Sequence, residues 1–525
     1  MDTKALRQKV LDLAIRGKLV PQDPSDEPAS VLLERIRQQK QQMVKEGKLK
    51  AKDIKNDTII FAGEDNLHYE KFADGSVKCI EDEIPFDLPD GWAWSRLVSL
   101  SSIITDGEHK TPRRINEFQG YYLLSARNIQ NGFISLGDVD FVDKCEFENI
   151  SKRCNPKEDD VLISCSGSIG RVAVVNDSNN YVMVRSAAMV RPIIIKPNYL
   201  MFALQSGQLQ TQMQKASKQT AQANLFLGAI QSLLIPVPPE IEEQRIIRVA
   251  GEAISIANEI EQNRESVSRT ILQAKSKILD LAIRGQLVPQ DSDDEPAAVL
   301  LERIRAEKEE LIKQGKIQRD KKESVIFRGE DNSYYEKIGN VVENIDDEIP
   351  FELPDGWMWC RGYSCFEGME STKPRGEFFD YIDIDAIDNR LHRIKASKHL
   401  LVSEAPSRAS RAVKTGSVLF SLVRPYLENI ALVEETHSHC IASTGFYICN
   451  SNGILLPEFM YYLMISGYVV NGLNQYMKGD NSPSISKDNI EHWLYPVPPL
   501  KEQTVICNKL RISFNLIENI EKSLS

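Results

Sequence analysis

The sequence lacks the features that mark membrane, secreted and zinc-binding proteins. Its apolar stretches, such as residues 193–195 and 233–235, fall far short of the ~18 residues that span a membrane. The N-terminus has no apolar signal core, and the nine cysteines stand singly without a CxxC pair. His437, His439 and Cys440 lie close together, but no second ligand pair follows at zinc-like spacing. We therefore expect a cytoplasmic protein with reduced thiols, no bound metal and no membrane contact.

Sequence motifs for several kinds of catalysis are absent as well. The chain contains no GxxxxGK[ST] phosphate loop, no GxGxxG, no NPPY-like methyltransferase tetrapeptide and no HExxH. One nuclease-like set remains, because Asp90, Glu108 and Lys110 imitate the PD…ExK residues that bind a metal and activate water. The related Pro-Asp element at Asp355 has no such partners. We therefore expect no catalytic residues in this chain.

Positive net charge, the usual signature of a nucleic-acid-binding protein, is also missing. The formal net charge is −11. The acidic residues are unevenly placed, however, and the blocks 89–235 and 354–495 are both close to neutral. Net charge governs solubility and long-range steering rather than local contact. The two blocks therefore remain candidates for binding a polyanion.

A long internal repeat dominates the chain. The heptapeptide LDLAIRG at 11–17 returns at 279–285, and PVPP at 236–239 returns at 496–499. The elements LLERIR, GEDN, EIPF and GW recur between them in the same order. Such duplication indicates two copies of one structural unit.

The duplicated segments enclose two segments that differ from each other. Residues 95–235 and 360–495 share little identity when they are compared side by side. We call these two segments the inserts and the duplicated remainder the frame. Short β-branched runs at 161–163, 172–175 and 418–420, separated by Gly, Asn, Asp and Ser, predict that each insert is a mixed α/β domain.

The frame is predicted to be helical. From Ile246 to Leu281 nearly all positions at alternating spacings of four and three are apolar, with Arg264 as the exception, which is typical of a coiled-coil seam. Pro296 and Gly315 mark the start and end of a further helix.

The two ends of the chain complement each other. Residues 500–525 keep helical spacing and then the chain stops, whereas residues 3–16 match the distal half of the central helix. The two terminal segments together correspond to the one central helix. We therefore expect neighbouring termini and an approximate twofold axis.

Polar and basic loops in the inserts are the candidate binding residues. Between residues 390 and 424 basic side chains greatly outnumber the single acid Glu404, as expected of phosphate-contacting segments. Arg, Asn, Gln and Ser side chains match base edges in the major groove. The candidates are Lys110, Thr111, Arg113, Arg114, Ser166, Ser168, Arg171, Gln222, Asn224, Lys373, Arg375, Lys398, Arg408, Arg411, Lys414, Arg424, Tyr426, Asn481 and Ser482.

These motifs together resemble a known family. The duplicated LDLAIRG, DEPA-x-x-LLERIR and PVPP segments, followed by Glu-Gln and framing two unlike inserts, resemble the specificity subunit of type I restriction-modification enzymes. The inserts resemble that family's target-recognition domains at 160–170 and 416–427. The resemblance covers essentially the whole chain.

The resemblance implies a fold class and a domain order. The fold is expected to be an α/β (α+β) multidomain protein, with two mixed α/β target-recognition domains joined by long antiparallel coiled-coil helices in a pseudo-twofold repeat. The expected domains are an N-terminal helical repeat 1–85, target-recognition domain 86–239, helical spacer and repeat 240–349, target-recognition domain 350–498 and C-terminal helix 499–525.

The resemblance also implies function and partners. Each target-recognition domain would bind one half of an asymmetric bipartite site in double-stranded DNA, and the helices would set the gap and dock the methylases. The non-catalytic chain would bind two methyltransferase subunits carrying S-adenosylmethionine, and optionally two restriction subunits carrying ATP and Mg. The alternatives are a coiled-coil scaffold that binds proteins, peptides or carbohydrate, and a free-standing nuclease.

Overall fold

The chain folds into two compact units. A computed structural model describes residues 2–217, 223–316 and 323–524. Unit 1 comprises Met1–Asn263 and unit 2 comprises Arg264–Ser525. No helix in the described part of the chain is long and apolar enough to cross a membrane.

Unit 1 contains helices and strands in mixed order. Its helices are α1 (Thr3–Ile15), α2 (Ala29–Lys45), α3 (Lys144–Ser151), α4 (Pro197–Gln205), α5 (Gly207–Ser217), α6 (Leu227–Gln231) and the first part of α7 (Glu240–Ile283). Its strands are β1 (Ile59–Ala62), β2 (His68–Lys71), β3 (Val77–Cys79), β4 (Ala93–Arg96), β5 (Ser101–Asp106), β6 (Tyr121–Leu124), β7 (Asp140–Phe141), β8 (Val161–Ser164), β9 (Val172–Val174), β10 (Asn180–Met183), β11 (Ala187–Pro192) and β12 (Leu234–Val237).

Unit 2 begins within α7 and repeats this organisation. Its further helices are α8 (Ala297–Lys313), α9 (Gly362–Cys365), α10 (Pro457–Met464), α11 (Gly467–Asn474), α12 (Lys487–His492) and α13 (Leu500–Leu524). Its strands are β13 (Ser324–Arg328), β14 (Tyr334–Ile338), β15 (Val341–Asn344), β16 (Met358–Arg361), β17 (Phe378–Ile382), β18 (Ile387–Asp388), β19 (Arg393–Ile394), β20 (Lys398–Leu401), β21 (Ala409–Ala412), β22 (Val418–Ser421), β23 (Ile430–Leu432), β24 (Ile441–Ser443), β25 (Phe446–Cys449) and β26 (Leu494–Val497).

The long helix predicted from the apolar spacing is present as α7. In unit 1 the Arg7 side chain of α1 donates to Asn258 Oδ1 at 2.9 Å and pairs with Glu261 of α7. In unit 2 Lys275 of α7 lies 3.4 Å from Glu521 of α13. Each terminal helix therefore lies against one part of α7.

Burial along α7 is uneven. The predicted seam is buried at Ile246, Ala250 and Ala257 and again at Ile271, but Arg264 and Val267 in the middle are exposed. Helix α7 therefore does not have one uninterrupted buried seam. The apolar spacing identified the helix correctly, because an exposed valine does not disturb the periodicity.

The prediction that residues 1–85 and 240–349 are helical is wrong for part of each range. Antiparallel strands β1, β2 and β3 form a three-stranded sheet in unit 1, and β13, β14 and β15 form its counterpart in unit 2. The repeated GEDN element is the first turn of each sheet, with φ of +61° at Asn66 and +65° at Asn332. Asparagine tolerates this left-handed conformation better than other non-glycine residues.

A buried ion-pair network joins each small sheet to the strand that leads into the insert. Arg96 of β4 lies 2.8 Å from Glu70 and 2.6 Å from Glu83. In unit 2 the corresponding arginine of β16 pairs with Glu336 at 2.8 Å and Glu348 at 2.9 Å. A buried arginine needs such partners because an unpaired charge in the interior is strongly unfavourable.

Each insert enters and leaves the frame through one antiparallel strand pair. In unit 1 β4 pairs with β12, so that Ser95 lies opposite Ile235. In unit 2 β16 pairs with β26, so that Cys360 lies opposite Tyr495. Both chain ends of each insert are therefore neighbours in a sheet.

The inserts themselves are mixed α/β domains, as predicted. The first contains a four-stranded sheet in the order β5-β11-β8-β9 and a three-stranded sheet in the order β10-β6-β7. The second contains sheets in the orders β20-β17-β24-β21 and β23-β22-β25, with the pair β18-β19. The predicted strands at 161–163, 172–175 and 418–420 are confirmed as β8, β9 and β22.

The helix that follows each insert is held by matching buried contacts. The indole Nε1 of Trp92 donates to Glu242 at 3.1 Å, and that of Trp357 donates to Glu502 at 2.8 Å. The next residue differs between the units, Glu243 in one and Gln503 in the other, and both are fully buried. The frame is thus duplicated in its contacts, with one exchange of an acid for an amide.

Candidate nucleic-acid interface

Two segments of unit 1 form a paired loop at the end of the insert's larger sheet. Residues 165–171 connect β8 to β9, and residues 223–226 precede α6. Ser166 and Asn224 form an antiparallel bridge, and the Leu225 N–H donates to the Cys165 carbonyl at 2.8 Å. We call residues 165–171 and 223–226 the loop pair of unit 1. It brings together the predicted residues Ser166, Ser168, Arg171 and Asn224, whereas Gln222 lies outside the described residues.

Unit 2 contains a loop pair at the corresponding place, formed by residues 422–429 and 478–485. Val423 bridges to Ser484, and the Arg424 N–H donates to the Pro483 carbonyl at 2.7 Å. The Arg424 guanidinium donates to the Asn481 carbonyl at 3.0 Å. The predicted residues Arg424, Tyr426, Asn481 and Ser482 lie on this loop pair and are exposed.

The two loop pairs have the same backbone scheme and different side chains. The bond from Leu225 to Cys165 has its counterpart in the bond from the Ile485 N–H to the Leu422 carbonyl, at 2.9 Å. Side-by-side sequence comparison did not find this correspondence, because backbone hydrogen bonds place no demand on side-chain identity. The structure thus presents one scaffold with two different sets of polar side chains.

One position of this scaffold has a left-handed backbone in both units. It is Gly167 in unit 1, with φ of +69°, and Arg424 in unit 2, with φ of +48°. For a residue with a side chain this conformation costs roughly 1–2 kcal/mol. Such strain is characteristic of binding and catalytic sites, and it makes Arg424 the strongest single candidate for direct contact.

A second exposed loop leaves the same end of the sheet in unit 1. The Gly107 N–H after β5 donates to the Ala187 carbonyl at 3.2 Å, and the Cys165 N–H of the loop pair donates to the adjacent Ser186 carbonyl at 2.7 Å. The predicted residues on this second loop are Lys110, Thr111, Arg113 and Arg114, all exposed. The Arg114 guanidinium is already engaged, because its Nε donates to Asp140 at 2.8 Å.

The nuclease-like set does not form a metal centre. The Glu108 carboxylate accepts the Lys110 backbone N–H at 2.9 Å, and this bond holds the pKa of Glu108 below its usual value. Asp90 lies in the frame, in the turn before β4. Among the described residues no group of three or more His, Cys, Asp and Glu side chains could hold a metal.

One of the two histidines considered as metal ligands, His439, is paired with a carboxylate that also contacts a third histidine, His399. His439 lies 2.9 Å from Asp380, and His399 lies 3.0 Å from the same carboxylate. Hydrogen bonding to these two rings, His399 first, lowers the pKa of Asp380. No sequence pattern indicated the contact between Asp380 and His399. These residues become neighbours only because strands β17 and β20 pair.

The basic segment of unit 2 carries less free charge than its sequence suggests. Lys398 lies 2.8 Å from Asp385, and Lys414 lies 2.5 Å from Glu367. Arg411 is half-buried in β21. Both acids lie outside residues 390–424, so composition alone could not identify them as partners.

Three further predicted cations are more available. Lys373, Arg375 and Arg408 are exposed. Within residues 323–524 none of the three has an ion-pair partner, counting only described residues. These side chains can contact a phosphate without first leaving a carboxylate.

Comparison with known proteins gives consistent results. A family model described as the type I restriction modification DNA specificity domain matches residues 89–267. The chain is 25% identical to the type I restriction enzyme EcoAI specificity subunit of Escherichia coli, over 97% of this chain and 88% of that protein. It is also 25% identical to the EcoEI specificity subunit of Escherichia coli, over 99% and 90%. The crystal structure of the HsdS subunit from Thermoanaerobacter tengcongensis is 34% identical over 33% of this chain and 46% of that chain, with a TM-score of 0.32.

Proposed function

The chain belongs to the DNA specificity subunits of type I restriction-modification systems, and we propose that each of its inserts recognises one half of a bipartite DNA site. Its role is DNA sequence recognition, and it is the non-catalytic component of such a system. The observation that carries the two-half proposal is the loop pair. The same backbone scheme occurs in both units, with Ser166 and Asn224 in one and Arg424 and Asn481 in the other.

The side chains on the loop pairs suit direct base recognition. Arginine can bond two acceptors of guanine, asparagine can bond adenine, and serine can bond several bases in the major groove. Lysine and arginine side chains around the loops would hold the phosphates and so position each insert. Recognition of two different half-sites requires different side chains at these positions. The two loop pairs have different side chains on the same backbone scheme.

Specificity subunits of type I systems work with other subunits and with DNA. We further propose two methyltransferase subunits, which supply S-adenosylmethionine, and optionally two restriction subunits, which supply ATP and Mg, all in the cytoplasm. The duplicated frame supports two copies of each partner, because each unit has the same exposed features. One such feature is an aromatic pair. Phe61 stacks on Tyr69 in unit 1 and Phe327 stacks on Tyr335 in unit 2, with ring centroids 6.0 and 5.9 Å apart, and both phenylalanines are exposed.

The decisive experiment exchanges one insert. Residues 95–235 are replaced by the matching insert of a relative, and the methylated motif is mapped in cells that also contain the methyltransferase. We expect one half of the motif to change and the other half to remain, because each unit has its own loop pair. The matched control exchanges residues 360–495 and should change only the other half.

Two outcomes would contradict the proposal. If both halves of the motif change together in either exchange, the inserts do not recognise DNA independently. If the complex with the methyltransferase shows no salt-dependent shift of duplex DNA in a gel, the scaffold alternative, in which the inserts bind peptides or carbohydrate, is favoured.

A further inference from the structure

Phe226 is an exposed aromatic residue on the loop pair of unit 1, and the sequence analysis did not select it. Its side chain is 58% exposed. It directly follows Leu225, whose N–H is fixed to the Cys165 carbonyl, and it lies two residues after Asn224. The Phe226 carbonyl in turn accepts the Ala229 N–H at 3.0 Å. Backbone bonds on both sides thus hold Phe226 in the surface that carries the candidate base contacts.

The corresponding position in unit 2 is Ser486. Leu225 and Ile485 make equivalent bonds, so the residues after them correspond, and each is the N-cap of a short helix. Ser486 caps α12, because its hydroxyl accepts from the Asn489 N–H. Phe226 has no side-chain cap at α6.

Unit 1 therefore has a large apolar ring where unit 2 has a favourable capping residue. Serine is among the preferred N-cap residues because its oxygen satisfies a free helical N–H, and phenylalanine cannot do this. The Phe226 ring is exposed to water and does not pack into a core. Within residues 2–217 and 223–263 no aromatic ring pairs with it, so far as these residues are described. Local stability does not explain the phenylalanine.

We propose that Phe226 contacts a thymine methyl group in the half-site that unit 1 recognises. This inference rests on the proposed function. Asn224 and Ser166 on the same loop pair offer hydrogen bonds, which cannot detect a methyl group, whereas an apolar side chain in the major groove can. Phe226 would supply the apolar part of the recognition surface.

The test uses the full chain with its methyltransferase, once the motif has been mapped. The variant is Phe226→Ser, which introduces the residue found in unit 2 and restores a cap, so the fold should be retained. We expect a roughly 4-fold loss of affinity for the cognate duplex, which is the contribution of about one buried methyl group, with unchanged binding to a duplex whose unit 1 half-site is scrambled. The matched control is Phe133→Ser, since Phe133 is also 58% exposed in the same insert but lies outside the loop pair.

Replacement of thymine by uracil isolates the methyl group. One such replacement in the unit 1 half-site should weaken the wild-type complex several-fold and leave the Phe226→Ser complex unchanged. A half-site without thymine on either strand overturns the inference, as does an equal effect of the two phenylalanine substitutions or an absence of any uracil effect. If the wild-type complex itself does not distinguish cognate from scrambled DNA, the proposed function fails, which is a separate result.

Discussion

At the scale of single residues, Glu243 and Gln503 occupy equivalent buried places. Glu243 Oε1 accepts the Lys196 N–H at 2.7 Å, and Gln503 Oε1 accepts the Leu456 N–H at the same distance. The Gln503 amide donates to two carbonyls, whereas Glu243 Oε2 has no partner among the described residues. Burial raises the pKa of Glu243 from its ordinary value near 4.5 to about 8. We therefore expect Glu243 to keep its proton at pH 7 and to be as uncharged as Gln503.

Glu243→Gln should make the protein less sensitive to alkaline pH. Below pH 4.5 the carboxyl is protonated in both folded and unfolded chains, so it contributes no pH dependence. Between about pH 4.5 and 8 the unfolded chain loses this proton while the folded chain keeps it, so wild-type stability falls as pH rises. The free energy of unfolding of the variant should rise relative to that of the wild type by at most about 1.4 kcal/mol per pH unit. The first unfolding transition in urea, recorded at pH 5.5 and 8, measures this difference.

The reciprocal variant is Gln503→Glu, which places an acid in the same setting in unit 2. Its stability should fall relative to wild type as pH rises through this range. Parallel curves for Glu243→Gln and wild type would mean that Glu243 is ionised in the folded protein.

Arg424→Gly should separate recognition from folding. Glycine accepts the backbone φ of +48° without strain and is the residue that unit 1 has at this place, so stability should stay within about 1 kcal/mol of wild type. The loss of the guanidinium should cost about 1–3 kcal/mol of binding and relax the preference at one base pair. Methylation mapping and competition binding measure both effects.

The matched backbone control is Gly167→Ala. A Cβ at Gly167 would meet nothing within 4 Å, but its φ of +69° is unfavourable for alanine. This variant should lose about 1 kcal/mol of stability and keep its motif. If Arg424→Gly retains both affinity and motif, Arg424 has a structural role only.

The sequence selected some of the candidate contact residues and did not select others, for physical reasons. Ser166, Asn224, Arg424 and Asn481 were selected by residue type, and the structure places them on the loop pairs. Phe226 was missed, because an aromatic residue in a sequence normally indicates a core position. Only its exposure and the lost cap distinguish it.

At the scale of elements, the basic strands and turns of unit 2 should bind phosphates unequally. Arg408→Ala should weaken binding to all DNA sequences and reduce the slope of log K against log salt by about one. Lys398→Ala and Lys414→Ala should act in the same direction but less strongly, because both lysines already pair with acids. Titrations at several salt concentrations measure the slopes. Equal slopes for wild type and all three variants would remove this segment from the interface.

Elements were predicted well where the local sequence pattern is strong. Apolar spacing predicts helix α7, and short apolar runs predict the strands at 161–163 and 418–420. The small sheets at 59–79 and 324–344 were missed, since their strands are short and partly exposed on both faces. Their stability comes from contacts distant in sequence, such as Arg96 with Glu70, which no local pattern reveals.

At the scale of the whole molecule, α7 continues from one unit into the other. It contains 44 residues, which corresponds to a length of about 66 Å. A four-residue insertion beside the exposed Arg264 adds about 6 Å and slightly more than one helical turn. Since DNA rises ~3.4 Å per base pair, we expect the half-sites to keep their sequences while the gap between them grows by one or two base pairs.

Methylation mapping decides this prediction as well. The control places the same four residues after Gly47, in an exposed turn where an added Cβ would meet nothing within 4 Å, and the gap should stay unchanged. An unaltered gap together with full methylation in the α7 variant would show that this helix does not set the spacing.

The strand pairs that close the inserts have a consequence for evolution. Because Ser95 lies opposite Ile235, and Cys360 opposite Tyr495, a foreign domain whose ends are neighbours can join the frame without stretching it. A recombination event within the duplicated segments would therefore exchange a whole insert and leave the frame intact. Such an exchange would replace all the side chains of one loop pair at once, with no gradual mutation of the loops.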